Sequence, residues 1–253
     1  MTISIDDLEH AAAPGWRGLQ EERLGGWLLR AADGFTGRAN SALAAGDAGR
    51  PLPDAVDAVR RWYAERGLPA MIAVPYPTGR PADSALDRLL ARRGWTIRAD
   101  AATVMTADAA RVAERGSPQA RRVDVDATPD PAWLRRYHYR GQDLPPIARW
   151  VLTSAQWLAF ASVRVDSETI AIGRVAGSGD WAGLTAIEVD PASRRQRLGT
   201  AVTVALAGHA AGRGGFGQLY LQVTDDNTAA RALYRSLGFG DHHGYHYRIE
   251  PPR

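Results

Sequence analysis

Apolar residues in this chain follow two spacings, a period of about two that is typical of strands and a period of about 3.6 that is typical of amphipathic helices. In the first hundred residues these spacings predict strands at 24–31, 38–43, 70–74 and 96–105 and helices at 55–65 and 84–93. The helix at 55–65 carries Val56, Val59 and Trp62 on one stripe, and Gly67 follows it as a residue that favours helix ends.

The second half of the chain repeats this succession with a fuller beginning. It has a predicted helix at 131–139, strands at 156–165, 169–176 and 183–189, a helix at 199–212, a strand at 218–224, a helix at 228–237 and a last strand at 244–249. Strands and helices that alternate in this way indicate an α/β architecture with a mixed sheet.

A polar stretch at 107–122 separates the two halves and is predicted to be a linker. Short patterns recur on either side of it: Ala-x-Arg-Gly at 64–67 and 211–214, and a glycine followed by an aromatic residue at 94–95 and 238–239. Helices and strands also recur in the same order around these patterns. We therefore predict two related domains in tandem, at residues 1–115 and 123–253.

Composition narrows the classes of function. The chain has 253 residues, no cysteine and 31 basic residues, all of them arginine. The lack of cysteine excludes disulfides, thiolate zinc sites and a cysteine nucleophile, and the lack of lysine excludes a Walker-type phosphate loop and a Schiff-base lysine. Acids are interleaved with the arginines and the net charge is +3, a pattern that suits a small anionic ligand and does not indicate nucleic-acid binding.

Targeting signals were also considered. No apolar run approaches the ~18 residues that a membrane span needs, and residues 1–10 lack the pattern of a signal peptide. We therefore expect a cytoplasmic protein with no membrane partner.

The stretch at 189–201 joins an apolar strand, a turn with Pro191 and a helix start with Gly199. The first amides of a helix have no intrahelical partner and, together with the helix dipole, favour a bound anion. Gly199 and the small residues after it let such an anion approach the backbone. The stretch is therefore a candidate phosphate site; an ordinary strand-to-helix connection with solvated arginines is the alternative.

Two motifs of the second half resemble the Gcn5-related N-acetyltransferase (GNAT) superfamily. The first is the family's cofactor motif, represented here by Gln196, Gly199 and Ala201, with Val189 and Pro191 upstream. The second follows one helix and one strand later and comprises Asn227, Ala230, Leu233, Tyr234 and the Leu-Gly-Phe sequence at 237–239. The resemblance spans residues 125–249, and its main departure is Arg197, where many members have a second glycine.

The resemblance implies that acetyl-CoA is the co-substrate. It implies that backbone amides at 197–201 meet the pyrophosphate, that strands ending at 189 and 223 splay to admit the pantetheine arm, and that an amide near Val189 faces the thioester oxygen. The implied cofactor-binding residues are Ile187, Val189, Arg194, Arg195, Gln196, Arg197, Leu198, Gly199, Thr200, Ala201, Asn227, Ala230 and Tyr234.

Two side chains are candidates for catalysis. Tyr234 is implied to protonate the departing thiolate, with a packed core tyrosine as the alternative. Glu188 is the candidate base for the amine, directly or through water, because it lies on the strand beside the thioester. Asp225 is a further candidate base, and Gln222 stands where some relatives carry a glutamate.

The cluster of His242, His243 and His246 near Asp241 lacks a clear third ligand at metal spacing, so no metal is expected. The first half is expected to have lost its cofactor site. Alignment of the repeats puts Leu52, Pro53 and Asp54 at the positions of Gly199, Thr200 and Ala201, and Leu90 at that of Tyr234. Proline offers no amide, and a carboxylate repels pyrophosphate. This layout is similar to that of mycothiol synthase and other actinobacterial tandem acetyltransferases.

The expected function is transfer of an acetyl group from acetyl-CoA to a primary amine by direct attack in a ternary complex, since no cysteine can form an acyl-enzyme. A non-catalytic acyl-CoA sensor and a structural interaction protein are the alternatives. The amine stays open, as does the choice between monomer and homodimer. The loop at 34–41, with Arg38 and Asn40, either helps to define a substrate pocket or is a plain hairpin.

Overall fold

The computed structural model describes residues 3–79, 83–116, 123–138 and 144–252. Its helices are α1 (Ile5–Ala12), α2 (Leu52–Ala64), α3 (Ala85–Arg92), α4 (Ala109–Ala113), α5 (Pro131–Arg136), α6 (Pro146–Thr153), α7 (Leu198–His209) and α8 (Thr228–Ser236). Its strands are β1 (Gln20–Leu24), β2 (Trp27–Ala31), β3 (Ala42–Leu43), β4 (Met71–Pro77), β5 (Thr96–Ile97), β6 (Ala102–Asp108), β7 (Asp124–Asp126), β8 (Trp157–Val165), β9 (Glu168–Ser178), β10 (Trp181–Val189), β11 (Gln218–Thr224) and β12 (Gly240–Ile249).

These strands form one mixed sheet, in the order β1-β2-β3-β4-β12-β6-β11-β10-β9-β8-β7, with β5 beside β12. The predicted α/β class is therefore confirmed. In the described parts of the chain, no helix is long and apolar enough to cross a bilayer.

The two halves of the chain exchange strands at the centre of this sheet. Strand β12 of the second half pairs with β4, and strand β6 of the first half pairs with β11. Strands β6 and β12 also pair with each other, so the hydrogen-bonded ladder is continuous across both halves. The division at residues 1–115 and 123–253 stays a prediction about the sequence, because the sheet itself has no break there.

The repeat seen in the sequence has a counterpart in topology. In the first half, β3 and β4 are parallel neighbours joined through α2, and in the second half β10 and β11 are parallel neighbours joined through α7. Residues Leu52, Pro53 and Asp54 form the first turn of α2, which is preceded by Pro51. Pro51 and Pro53 have no backbone N–H to donate at this helix start. Their presence agrees with the expected loss of a phosphate site in the first half.

Several predicted elements of the first half are wrong in detail. The strand predicted at 24–31 is a hairpin, β1 and β2, with Gly25 in the left-handed region (φ 58°). A Cβ there would lie 2.4 Å from the carbonyl carbon of Ala48. The strand predicted at 38–43 is a single helical turn, Arg38–Asn40, followed by the two-residue β3. The strand predicted at 96–105 is divided into β5 and β6 by a turn in which Arg98 bonds to Asp100.

The predicted linker at 107–122 is also wrong over its first part. Strand β6 runs to Asp108, whose side chain caps α4. Val112 of α4 is fully buried and packs in the same core as Val202 and Leu206 of α7. Residues 117–122 lie outside the described residues. The helix predicted at 131–139 ends at Arg136, and residue 139 lies outside the description.

Besides α4, two helices were not predicted, α1 and α6. Each has eight residues and carries only a short periodic signal. Packing on the sheet holds them in place: Leu8 of α1 is fully buried against the aromatic residues of β11 and β12, and Val151 and Leu152 of α6 are fully buried beside Trp133. Helices α7 and α8 pack on the opposite face, and the site lies where the sheet opens between these two layers.

Candidate active site

Strands β10 and β11 separate at their carboxyl ends. They pair in parallel from Trp181 opposite Gln218 to Leu184 opposite Leu221, and the recorded pairing goes no further. On its other side, β10 shifts register against β9 between Thr185 and Glu188. The cause is a bulge in which Ala186 adopts a left-handed backbone conformation (φ 52°). The end of β10 is thereby turned away from β11, which opens a wedge in the sheet.

A cleft of about 1220 Å³ begins at this wedge. It is bounded by the end of β10, the loop and first turn of α7, one side of α8, and the two residues Arg136 and His138 near the end of α5. Small-molecule sites typically have volumes of ~300–1,000 Å³. The cleft exceeds this range, so it has room for a long ligand. The lining residues that the sequence pointed to are Ile187, Glu188, Val189, Arg194, Arg195, Arg197, Leu198, Gly199, Thr200, Asn227, Ala230 and Tyr234.

Two of the predicted cofactor residues do not line the cleft, Gln196 and Ala201. Gln196 is exposed, and Ala201 lies one turn inside α7. The amide of Ala201 bonds to the carbonyl of Arg197 at 3.0 Å, so it has no donor left for a phosphate. The donors for an anion are therefore the amides of the first three residues of α7, Leu198, Gly199 and Thr200, because these positions have no intrahelical acceptor.

The loop before α7 is held in an unusual conformation. Arg195 and Arg197 both have positive φ values, 61° and 57°, and Arg197 is the residue from which α7 begins. Positive φ costs a residue with a side chain ~1–2 kcal/mol, and glycine avoids this cost. Arg197 thus occupies the position where the related motif has glycine and adopts the backbone that glycine favours. Both arginine side chains are exposed at the mouth of the cleft.

Helix α8 contributes Tyr234 to the opposite wall. The helix begins at Asn227, whose side chain accepts a hydrogen bond from the amide of Ala230 at 3.1 Å. The Tyr234 ring packs edge-on against Phe239, with 5.8 Å between ring centroids. Burial raises the pKa of Tyr234 to about 12, so its hydroxyl keeps its proton through the neutral range and can donate it into the cleft.

The carboxylate of Glu188 lies next to the bulge. It accepts hydrogen bonds from the amide of His138 at 3.2 and 3.3 Å. Burial raises the pKa of Glu188 above its usual value, although the His138 amide and the charges of His138 and Arg136 oppose the rise. A carboxylate with a raised pKa in a cleft is a candidate base.

Arg136 and His138 were missed as residues of the site. Arg136 bonds to Asp190 at 2.9 Å and to the carbonyl of Thr169 at 3.0 Å, which fixes the segment after α5 against the end of β10. About fifty residues separate Glu188 from His138 along the sequence. No local spacing could have indicated this contact.

The other candidate base, Asp225, and the glutamine at the position of the relatives' glutamate, Gln222, both lie outside the cleft. Gln222 lines a second cavity and accepts a hydrogen bond from the Tyr245 hydroxyl at 3.3 Å. Asp225 is exposed, accepts a bond from Thr103 at 2.6 Å and lies 3.7 Å from Arg231. Among these candidates, Glu188 alone lines the cleft.

The second cavity has a volume of about 310 Å³ and lies on the other side of the bulge. Thr36, Gly37 and Arg38 of the first half line it together with Leu184, Thr185 and Ala186 of β10. The loop at 34–41 therefore does face the second half. Asn40, by contrast, has a structural role, since its side-chain amide bonds to the backbone of residues 32, 34, 35 and 36 at 2.7–3.4 Å.

The histidines of β12 form hydrogen bonds with neighbouring groups. His243 is fully buried and bonds to Glu9 at 2.8 Å and to His242 at 2.8 Å. His246 bonds to Asp87 at 2.7 Å, and Asp87 also accepts two bonds from Arg248. No group of three or more metal-ligating side chains occurs in the ranges that the structure describes. These contacts tie β12 to α1 and α3 of the first half.

Comparison with known proteins gives concordant results. Residues 2–248 match the family described as "Probable histone acetyltransferase Rv0428c C-terminal". The chain is 34% identical over 260 residues to a Mycobacterium tuberculosis protein named "Probable histone acetyltransferase Rv0428c", covering 97% of this chain and 74% of that protein.

Two solved structures share the fold. One is a GCN5-related N-acetyltransferase from Kribbella flavida, with a TM-score of 0.74, 18% identity, and 100% and 98% of the two chains covered. The other is a tandem GNAT protein from the clavulanic acid biosynthesis pathway, with a TM-score of 0.58, 15% identity, and 79% and 70% covered.

Proposed function

The chain belongs to the Rv0428c C-terminal family of GNAT acetyltransferases, and on that premise we propose that its second half transfers an acetyl group from acetyl-CoA to a primary amine. The observation that carries this proposal is the cleft at the wedge between β10 and β11, which joins a helix start with free amides to a half-buried tyrosine. Each has a distinct part in the reaction.

The first turn of α7 is the proposed site of the pyrophosphate. The amides of Leu198, Gly199 and Thr200 are available as donors, and the helix dipole adds a favourable field for negative charge. A Cβ at Gly199 would lie 3.2 Å from Leu233 Cδ1 and 3.9 Å from Val189 Cγ2. Glycine therefore leaves the space between these side chains at the helix start unfilled. Arg194, Arg195 and Arg197 add positive charge at the mouth of the cleft.

The wedge is the proposed place of the thioester. The bulge interrupts the pairing of β10 with β9 between Thr185 and Glu188, so backbone amides there can donate to a carbonyl oxygen as negative charge develops on it. Preorganised donors of this kind are worth ~10²–10³ in rate. The amine nitrogen attacks the thioester carbon, a C–N bond forms and the C–S bond breaks, and the products are an N-acetyl amine and free CoA thiol.

Two protons move during this exchange. The attacking amine gives up one proton, for which Glu188 is the acceptor, directly or through water. The leaving sulfur gains a proton from the Tyr234 hydroxyl, which is protonated at neutral pH. The chain has no cysteine, so this direct attack in a ternary complex is preferred to an acyl-enzyme.

The family name points to histones as acceptors for the mycobacterial relative. The proposed roles of the cleft residues concern the acetyl donor and its transfer, and they specify no histone acceptor for this chain. The first half is proposed to supply part of the acceptor site through its loop at 34–41.

Calorimetric titration with acetyl-CoA tests the cofactor site. We expect one equivalent to bind to the full chain, because the second half has the helix start with free amides and the first half has Pro51 and Pro53 there. Two equivalents would mean that the first half retains a site. Tight binding with no turnover on any amine would favour an acyl-CoA sensor, and no binding at millimolar ligand would contradict the proposal.

The pH dependence of turnover tests Glu188. A base acts only when deprotonated, and burial raises the pKa of Glu188. On acidification, kcat/KM should therefore begin to fall at a higher pH than it would if the base were a glutamate with the usual pKa. Glu188→Gln should flatten this acidic limb and lower neutral-pH turnover about tenfold, less than the ~10²–10⁴ of many acid–base groups, because a dissolved amine can also lose its proton to solvent.

Asp225→Asn is the matched control, since Asp225 lies outside the cleft. An unchanged acidic limb in Glu188→Gln would remove Glu188 from the mechanism. The same loss of the limb in Asp225→Asn would assign the base to Asp225.

A further inference from the structure

The second cavity lies directly across the bulge from the cleft. Thr185 and Ala186 line the cavity, while the next residues of β10, Ile187 and Glu188, line the cleft. Likewise Tyr137 lines the cavity and its neighbour His138 lines the cleft. A molecule in the cavity would therefore lie next to the reacting end of the cleft, across β10 from the acetyl donor.

The walls of the cavity come from both halves of the chain. Trp16, Thr36 and Arg38 belong to the first half, and Tyr137, Tyr245 and Tyr247 belong to the second. Four of these six are aromatic and buried. A volume of about 310 Å³ is at the lower end of the ~300–1,000 Å³ of ligand sites, so the cavity fits a small molecule and not a folded protein segment.

Arg38 is the charged group of this cavity that has no carboxylate partner within the described chain. Its guanidinium lies 5.2 Å from the centre of the Trp16 ring. Its Nε is buried and has no hydrogen-bond partner among the described residues. The other arginine that lines the cavity, Arg98, is neutralised by Asp100 at 2.6 Å.

Two further arginines make the surroundings of Arg38 more positive. Arg174 is fully buried, and its guanidinium bonds to the carbonyls of Leu152 at 2.7 Å and Gly15 at 3.0 Å and to the Thr185 hydroxyl at 3.3 Å. Burial, with a smaller contribution from the charge of Arg38, lowers the pKa of Arg174 to about 10. Arg30 is also buried, with an Nε that has no partner in the described part of the chain.

Arg38 is half-buried, and its enclosed Nε has lost water without gaining an acceptor, which carries a desolvation cost. Aromatic rings and carbonyls offset only a part of this desolvation cost, since neither carries a net negative charge. A ligand oxyanion beside Arg38 would supply both the missing charge and an acceptor for Nε. The cavity is therefore built to receive an anion at one end and to open toward the bulge at the other.

We propose that the acceptor is a small amine that also carries an oxyanion, a carboxylate or a phosphate, and that Arg38 binds this oxyanion while the amine points to Thr185 and Ala186. This inference rests on the proposed acetyl transfer and specifies its substrate class. It also gives the first half a function, because a residue of the half without a cofactor site selects the acceptor.

The test compares amines with and without an oxyanion. The pairs are 4-aminobutanoate with 4-aminobutanamide, 4-(aminomethyl)benzoate with 4-(aminomethyl)benzamide, and O-phosphoethanolamine with ethanolamine. We expect at least one anionic member to exceed its neutral partner in kcat/KM by about 10- to 100-fold, the range for a hydrogen bond to a charged group. The first two pairs and the third distinguish a carboxylate from a phosphate.

Variants of Arg38 connect this preference to the residue. Arg38→Met should lower kcat/KM for the anionic amine to about that of its neutral partner, and Arg38→Lys should restore part of the difference. Arg66→Met is the matched control, because Arg66 also stacks on a tryptophan, 3.6 Å from the Trp62 ring centre, but lines neither the cleft nor the second cavity.

The outcomes separate the two proposals. Equal kcat/KM for charged and neutral partners, or an equal loss for both in Arg38→Met, would overturn the acceptor class and leave acetyl transfer intact. The acceptor class would also be overturned if acetyl-CoA bound to the protein but none of the anionic amines bound or reacted. Failure of acetyl-CoA itself to bind would be a failure of the proposed function.

Discussion

Replacing Tyr234 with phenylalanine is expected to lower kcat for acetyl transfer by about 10²-fold while acetyl-CoA binds with unchanged affinity. The hydroxyl is the group on α8 that can donate a proton into the cleft, and burial raises its pKa to about 12. Phenylalanine keeps the ring and its edge-on contact with Phe239, so the wall of the cleft is retained. The loss should therefore appear in the chemical step.

Single-turnover rates and calorimetric affinity, measured on the same preparation, check this prediction. Tyr76→Phe is the control, because Tyr76 is another half-buried tyrosine with a raised pKa but lies outside the cleft. Unchanged turnover in Tyr234→Phe would leave Tyr234 as a packing residue. A parallel loss of acetyl-CoA affinity would assign it to binding instead.

Replacing Thr200 with aspartate should weaken acetyl-CoA binding by about 10²-fold or more. Thr200 is the third residue of α7 and lines the cleft. A carboxylate about 5 Å from the pyrophosphate, at an effective dielectric constant near 20, repels it by roughly 3 kcal/mol per unit charge. The same carboxylate is favourable for the helix, because negative charge in the first turn interacts well with the dipole. Binding should therefore fall while the melting temperature is unchanged or higher.

Calorimetry and thermal unfolding measure the two effects separately. Ala85→Asp is the matched control, because it places the same charge in the first turn of α3, at an exposed residue outside the cleft. It should leave acetyl-CoA affinity unaltered. If Thr200→Asp retains full affinity, the pyrophosphate does not lie at the start of α7, and the proposed course of the cofactor through the cleft is wrong.

The contrast between the two halves follows from the same electrostatic reasoning. The first turn of α2 already has an aspartate, Asp54, and proline at Pro51 and Pro53. Thr200→Asp would therefore introduce into α7 one of the features by which α2 differs. If the variant behaves as expected, a single carboxylate would account for a large part of the loss of cofactor binding in the first half.

The sequence determined the parts of the site that depend on residues close together in the chain. The α7 start and α8 lie where the spacing predicted them, and β11 has the predicted bounds, 218–224. An anion site at a helix start needs a turn, a small residue and free amides within a few positions, so local pattern is sufficient to indicate it. For this reason twelve of the fourteen candidate catalytic and cofactor-binding residues line one cleft.

The tertiary structure alone decided how distant segments meet. Nothing in the spacing of residues indicates that β12 pairs with β4, that the amide of His138 bonds to Glu188, or that Arg38 shares a cavity with Thr185. These contacts join segments that are 50 to 170 residues apart, and their geometry follows from the exchange of strands between the halves and from the bulge in β10. A local pattern specifies a helix end or a strand, whereas a pocket between two halves depends on how their faces pack, which only the folded chain determines.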